Sequence, residues 1–167
     1  DPMHPPILRT FCLVSLLLLG GCAMQRKPIW HQAGPNQPTP HTEVLFAAAR
    51  SAYALASDGP GVERCIALHE AVLKDNPGDY QARVNAANLY ILKGTAYTAS
   101  SSAKSEAFRT AMSYAELAMY TNPQFKAQVD AGRQPWEAAD SLGAREAEAM
   151  YFWVTALQYE FKEGMSL

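Results

Sequence analysis

What this chain lacks narrows it first. It has only four histidines in 167 residues. None of His4, His31, His41 or His69 has a second ligand at helical i+4 or zinc-finger spacing, so no metal site is expected. There is no G-x-S-x-G elbow, no phosphate-cradling glycine loop and no H-E-x-x-H. Those are the patterns that expose a nucleophile, hold a phosphate or seat a catalytic zinc. Cys65 stands mid-helix beside Ile66 and suits a small buried hydrophobe better than a nucleophile. Glu146 and Glu148 are two apart, cannot share a helical face, and are expected as solvated charges. These residues lead us to expect no catalytic activity and no cofactor. A formal charge of -2, without long runs of either sign, gives no electrostatic footprint for nucleic acid.

What is present begins with a leader. Asp1-Pro2-Met3 is expected to be a cloning scar ahead of a natural start at Met3, with His4 and Arg9 as a short, weakly basic head. Phe11 to Leu19 is almost wholly apolar but far short of the ~20 residues that span a bilayer. The run stops at Leu19-Gly20-Gly21-Cys22. That stop resembles the bacterial lipobox, which implies cleavage before Cys22 and acylation of its thiol and amine. Residues 1–21 are then a lipoprotein signal peptide, and the mature chain is held on a membrane by its acyl chains. Ala23 follows the cysteine where Asp would favour retention at the inner membrane. The expected address is therefore the periplasmic face of the outer membrane of a Gram-negative bacterium. With the leader gone only Cys22 and Cys65 remain, which is no disulfide framework.

From Gln25 to His41 the chain is polar and broken by Pro28, Pro35, Pro38 and Pro40. Prolines at that density oppose helix, so residues 22–41 are expected as a lipidated cysteine followed by an extended, semi-rigid tether. Trp30 inside it suits either the membrane interface or packing back on the domain.

Residues 42–167 are expected to be helical throughout, with no sustained two-residue alternation. "TEVLFAAARSAYALA" puts Val44, Ala47, Ala48, Ser51 and Leu55 on one helical face. Asp58-Gly59-Pro60-Gly61 breaks the chain, and "VERCIALHEAVLKDNP" supplies a second helix. "DYQARVNAANLYILKGTAY" is a third with Asp79 as candidate N-cap. A polar loop is expected around Ser100-Ser101-Ser102, then a fourth helix in "KSEAFRTAMSYAELAMYTNP" and a fifth in "AREAEAMYFWVTALQYEFKE". Two helices end alike, at Asn76-Pro77 and Asn122-Pro123. Proline cannot continue a helix, and Asn tolerates the left-handed conformation that often closes one.

Helices that turn at such corners resemble tetratricopeptide repeats. Ala111, Ala118 and Pro123 fall at that repeat's small and closing positions, and Ala87 and Tyr90 match if the Ser-rich loop is an insertion. Cys65 and Val72 depart from the pattern, and Pro77 and Pro123 lie 46 residues apart, where the repeat has 34. The fold class expected is all-α, with tetratricopeptide-like antiparallel helix pairs in a small solenoid or bundle. The plainer alternative is an irregular helical bundle with Ala and Tyr as ordinary core residues.

An acylatable cysteine, a short tether, "NAANLYILKGTAY" and "SLGAREAEAMYFWVTALQYEF" together resemble the T component associated with TRAP-type transporters. There is a weaker resemblance to the lipoprotein component of bacterial sterol-transport systems. The first resemblance implies a periplasmic lipoprotein partnered by an extracytoplasmic substrate-binding protein. Members of that family are longer, and this chain stops at Gly164-Met165-Ser166-Leu167 without a polar capping helix. Truncation, or a partner over that end, is expected.

Met150, Tyr151, Phe152 and Trp153 are consecutive, so their helix has no simple wet face. Either it is sandwiched in a filled core, or one side lines an apolar cavity. The second reading gives a pocket for a lipid such as a sterol, lined by some of Tyr90, Tyr114, Met119, Tyr120, Trp136, Met150 and Trp153. Two functions follow: a lipid-anchored protein that binds or transfers a small apolar ligand, or a repeat scaffold that only contacts other envelope proteins.

Overall fold

Thr39, Asp58, Asp79 and Ser100 each begin a long helix, because each side chain accepts a hydrogen bond from a backbone N–H of the first turn. In the computed structural model, which describes residues 29–165, these helices are α1 (Pro40–Leu55), α2 (Gly59–Asp75), α3 (Tyr80–Ala96) and α4 (Ser101–Met119). Two short helices, α5 (Pro123–Asp130) and α6 (Pro135–Ala138), follow, and α7 (Ala147–Met165) ends the described chain. Three-residue 3-10 turns lie at Trp30–Gln32, Ala139–Ser141 and Ala144–Glu146. Among the described residues there is no strand, and no helix is long and apolar enough to cross a membrane. The chain is an all-α multi-helix bundle. The expected leader, residues 1–21, and Cys22 lie outside the described residues.

Each long helix packs on the next, α1 on α2, α2 on α3, α3 on α4 and α4 on α7, and α7 also touches α3. The α3–α4 contact is close because its residues are small. Ala87, Ala111 and Ala118 are fully buried, as the helix spacing predicts. Gly94 is tighter still: a Cβ there would stand 2.5 Å from the Phe108 ring. Three apolar clusters result. Val62, Cys65, Ile66 and Leu89 pack beneath Ala52 of α1 and Ala56 just after it. Ile91, Ala111, Met112 and Ala156 join α3, α4 and α7. Val84, Ala118, Met119, Phe125, Val129, Ala138 and Ala149 close the end where α5 and α6 lie.

Several local expectations change. The serines at 100–102 form no loop: Ser100 caps α4 and the next two begin it. There is accordingly no insertion between α3 and α4, and the long proline interval is taken up by helices of 17 and 19 residues. Neither Asn is left-handed; the only positive φ among the described residues is at Gly132. Asn122 acts through its side chain, capping α5 at the N–H groups of Gln124 and Phe125. Glu146 is buried, not solvated, because its carboxylate accepts from Gly143 N–H at 3.0 Å. The α1 face carrying Val44, Ala47, Ala48, Ser51 and Leu55 points outward, while Thr42 and Ala49 turn in.

Of the described part of the expected tether, Pro40 and His41 open α1, and residues 29–39 are a strap laid on the helices. Its backbone and side chains are read by the α2–α3 corner. Gly78 N–H donates to Pro35 O (3.0 Å), Gln37 N–H donates to Asn76 Oδ1 (2.8 Å), and Asn76 Nδ2 donates to Asn36 Oδ1 (2.8 Å). Two glycines permit the approach, since a Cβ on Gly78 would overlap the Asn36 backbone and one on Gly34 would overlap Pro77. Trp30 then stacks on Tyr120, with ring centroids 4.9 Å apart, and meets the Phe125 edge. Of the two placements open for Trp30, the structure has it packed back on the domain. Gly78→Ala should therefore lift the strap. The expected result is a red shift of tryptophan emission with helicity retained, checked by fluorescence beside circular dichroism.

Arg83 ties the two corners together. Its guanidinium is buried and donates to Leu117 O at 2.5 Å and to Pro77 O. Desolvation lowers its pKa to about 10, which still leaves it charged at neutral pH. Arg83→Met would leave both carbonyls without that donor, at a cost of about 3 kcal/mol. Urea unfolding measures it; an unchanged midpoint would show that the corners are held by something else.

Candidate functional site

The residues expected to line one pocket are distributed over three places. Tyr90 and Tyr114 face each other across α3 and α4, with centroids 5.7 Å apart and planes at 26°. Both hydroxyls donate to Glu70 Oε1 of α2, at 2.8 and 3.1 Å. Burial, then the neighbouring Glu70 carboxylate, pushes both phenol pKa values above the ordinary tyrosine range. Lys93 lies over the Tyr90 ring and pairs with Glu63 at 2.9 Å. A groove runs beside this pair. One cavity of about 200 Å³ borders Tyr90, Lys93, Thr98 and Glu106. A second, of about 510 Å³, shares Glu106 and Thr110 with it and extends past Arg109 and Tyr114 to Gln32 and Ile29 of the strap. Hydroxyls and charges line most of this groove, and Arg109 is held by Glu160 of α7 at 2.8 Å.

Met119, Tyr120, Met150 and Trp153 belong elsewhere. Met119 is buried in the cluster at the α5–α6 end, and Tyr120, Met150 and Trp153 pack against that cluster. Trp153 Nε1 donates to Glu116 Oε1 at 2.9 Å, which answers the polar end of a partly buried indole. Tyr120 carries the Trp30 stack, and its hydroxyl donates to Asp130 (2.7 Å) while accepting from Lys126 (2.7 Å). Trp136 stands apart on α6 with 47% of its surface exposed. Neither groove cavity is lined by Met119, Met150 or Trp153.

Sequence reasoning missed Glu70, which organises the tyrosine pair, and Glu116, which orients Trp153. Their only available signal was position. Glu70 lies on the helix preceding Tyr90, and a lone glutamate on an amphipathic helix looks like any solvated charge. His69 is a fully buried joint between three helices. Its Nδ1–H donates to Cys65 O (2.8 Å), its Nε2 accepts from Asn85 Nδ2 (3.1 Å), and its ring meets the edge of Phe46. Gln81 Nε2 donates to Asn85 Oδ1, which fixes that amide so that its NH2 faces the histidine. Burial also raises the Cys65 thiol pKa, in keeping with a packing role.

No protein-family model, no curated protein and no solved structure matches this chain.

The histidine gives the region a pH dependence. Desolvation lowers the folded pKa of His69 below 6.5, with the Cys65 carbonyl and Asp79 acting the other way. The folded state therefore resists protonation that the unfolded chain accepts. Stability contributed this way is complete above about pH 6.5 and is lost as pH falls through the folded value. Stability should therefore fall between pH 7.5 and 5.5. Urea unfolding at the two pH values measures it, and the His69→Leu variant should lack the component; an equal drop in that variant would assign it to other groups.

Proposed function

We propose that this chain is a lipid-anchored helical-repeat scaffold of the bacterial envelope that works through protein contacts, with the α3–α4 groove as its contact surface. The observation that carries this reading is the placement of the aromatic helix. Met150, Phe152 and Trp153 pack, partly buried, against core clusters, while the accessible groove is largely polar and bordered by the Glu70-linked tyrosines. A carboxylate (Glu106), hydroxyls, Arg109 and Lys93 along an open groove suit recognition of polypeptide surface rather than of a lipid body.

On this reading α1–α2 and α3–α4 are two divergent tetratricopeptide-like pairs, and α7 begins a third. The support is sequential packing of each helix on the next, together with the contact between α3 and α7, the leading helices of successive pairs. Cys22 carries the acyl anchor, and the protein works at the periplasmic face of the outer membrane. The partner we favour is the extracytoplasmic substrate-binding protein of a transporter, following the resemblance to TRAP T components.

Metabolic labelling with a fatty acid tests the anchor: label in wild type should be lost in Cys22→Ala. A photo-crosslinker at Thr110 should capture the substrate-binding protein, and Glu106→Lys should reduce that capture severalfold. Native mass spectrometry and tryptophan fluorescence against sterols, hopanoids and fatty acids test the competing reading. Saturable binding there, with no crosslink from the groove, would replace the scaffold by an apolar-ligand carrier.

A further inference from the structure

Helix α7 is apolar on two sides. Met150, Phe152 and Trp153 turn toward the core clusters, and α7 packs on α4 and α3. On its outer side Tyr151, Val154, Gln158, Phe161 and Met165 are all exposed. Tyr151, Phe161 and Met165 keep 66, 62 and 67% of their surface open. The five recur at alternating steps of three and four residues, which sets them on one straight stripe ~21 Å long. A helix apolar all round is ordinarily covered all round, and a continuous apolar stripe on a surface marks a contact with another protein. None of the five borders the two groove cavities, so this surface is separate from the α3–α4 groove.

The flanking charges identify the occupant. Glu148 and Lys162 are exposed on the same edge of the stripe, two heptads apart, one toward each end. A second copy of α7 laid antiparallel can set Tyr151 over the second copy's Phe161. In that register Val154 lies over the second copy's Gln158, and Met165 over the small side chain of the second copy's Ala147. Edge positions then meet edge positions, and Glu148 comes beside the second copy's Lys162, twice by the two-fold symmetry. A parallel pairing would bring Lys162 to Leu157 and give Glu148 no opposite charge. The remaining carboxylates in this half of the helix face α4 instead: Glu160 holds Arg109, and Glu163 accepts from Ser101.

We propose that α7 is a dimerisation helix, pairing antiparallel with α7 of a second copy of this chain about a two-fold axis between Val154 and Gln158. The pairing is independent of acylation at Cys22 and of what the groove binds.

Sedimentation of the full chain in density-matched detergent reads the association whatever the state of Cys22. Wild type should show a reversible monomer–dimer equilibrium. Glu148→Lys alone, or Lys162→Glu alone, sets like charges together at both edges and should weaken the dimer about tenfold. An equimolar mixture of the two variants should recover the wild-type affinity, because every cross pair is again opposite in sign. No effect confined to one chain can produce that recovery. Phe161→Glu should be monomeric with an unchanged unfolding midpoint, since the ring is exposed. A monomeric wild type would overturn the proposal, as would a dimer that the charge variants leave unchanged or that mixing fails to restore. Growth beyond the dimer would also overturn it, by assigning the stripe to a head-to-tail contact with the outward face of α1 on the next copy.

Discussion

A single buried guanidinium holds the two halves of this bundle in register. Arg83 starts near the beginning of α3 and donates to Pro77 O behind it and to Leu117 O at the end of α4. The two carbonyls belong to the closing segments of α2 and α4, the ends where backbone acceptors have no partner within their own helix. A neutral side chain of similar volume would fill the space and leave both acceptors unanswered. Desolvation of the cation works against the arrangement, and the hydrogen bonds offset it. The corner beside it repeats the logic with a neutral group. Asn76, also buried, serves the strap with both ends of its amide. Where helices turn, this protein satisfies the backbone with side chains, and the apolar clusters assemble around those fixed points.

The long helices were legible because their signals are local. Asp79 caps α3 where an aspartate before an amphipathic run should, and α2 ends at Asn76-Pro77 where proline forbids continuation. The small residues at 87, 111 and 118 were legible for the same reason, being spaced for helix contact. What failed was information that lives between elements. The face of α1 bearing Val44 and Leu55 has helical spacing but points outward. A periodic apolar row says which residues share a side and not which side is covered; on this helix the buried side is built from smaller residues such as Thr42 and Ala49. The serines at 100–102 looked like a loop because serine is common in turns, yet serine is also a favoured cap, and only the length of the connection decides.

The proline-rich stretch failed in a different way. Proline excludes helix, which was correct for residues 33–39, but exclusion of helix is not freedom from the domain. An extended strand of chain has its backbone groups available, and two of them, Pro35 O and Gln37 N–H, are matched by the α2–α3 corner. Gly34 and Gly78 mark the places where that match requires two backbones to meet without a Cβ between them. Neither glycine announces this in the sequence, because the partner lies some forty residues away.

The candidate ligand residues show how aromatic rings are used in this fold. In this fold large rings and small residues work as complements across each helix contact. Phe108 fits over Gly94 and stacks on Tyr159 of α7. Tyr90 and Tyr114 meet across α3 and α4 where Glu70 can bond both. Trp30 covers Tyr120 and Phe125. Each pair joins two segments that alanine-rich surfaces would leave free to slide, since small flat faces pack closely but specify register weakly. The rings supply that register. Four consecutive large side chains in α7 are needed because its neighbours approach from more than one side: Met150 and Trp153 reach the α5–α6 end, and Phe152 and Trp153 also reach the Ala111–Ala156 cluster. Tyr151, facing none of these, is left mostly exposed. The sequence pattern that a ligand cavity would produce is thus also produced by a helix wedged between two core clusters, and only the position of the third helix separates the two.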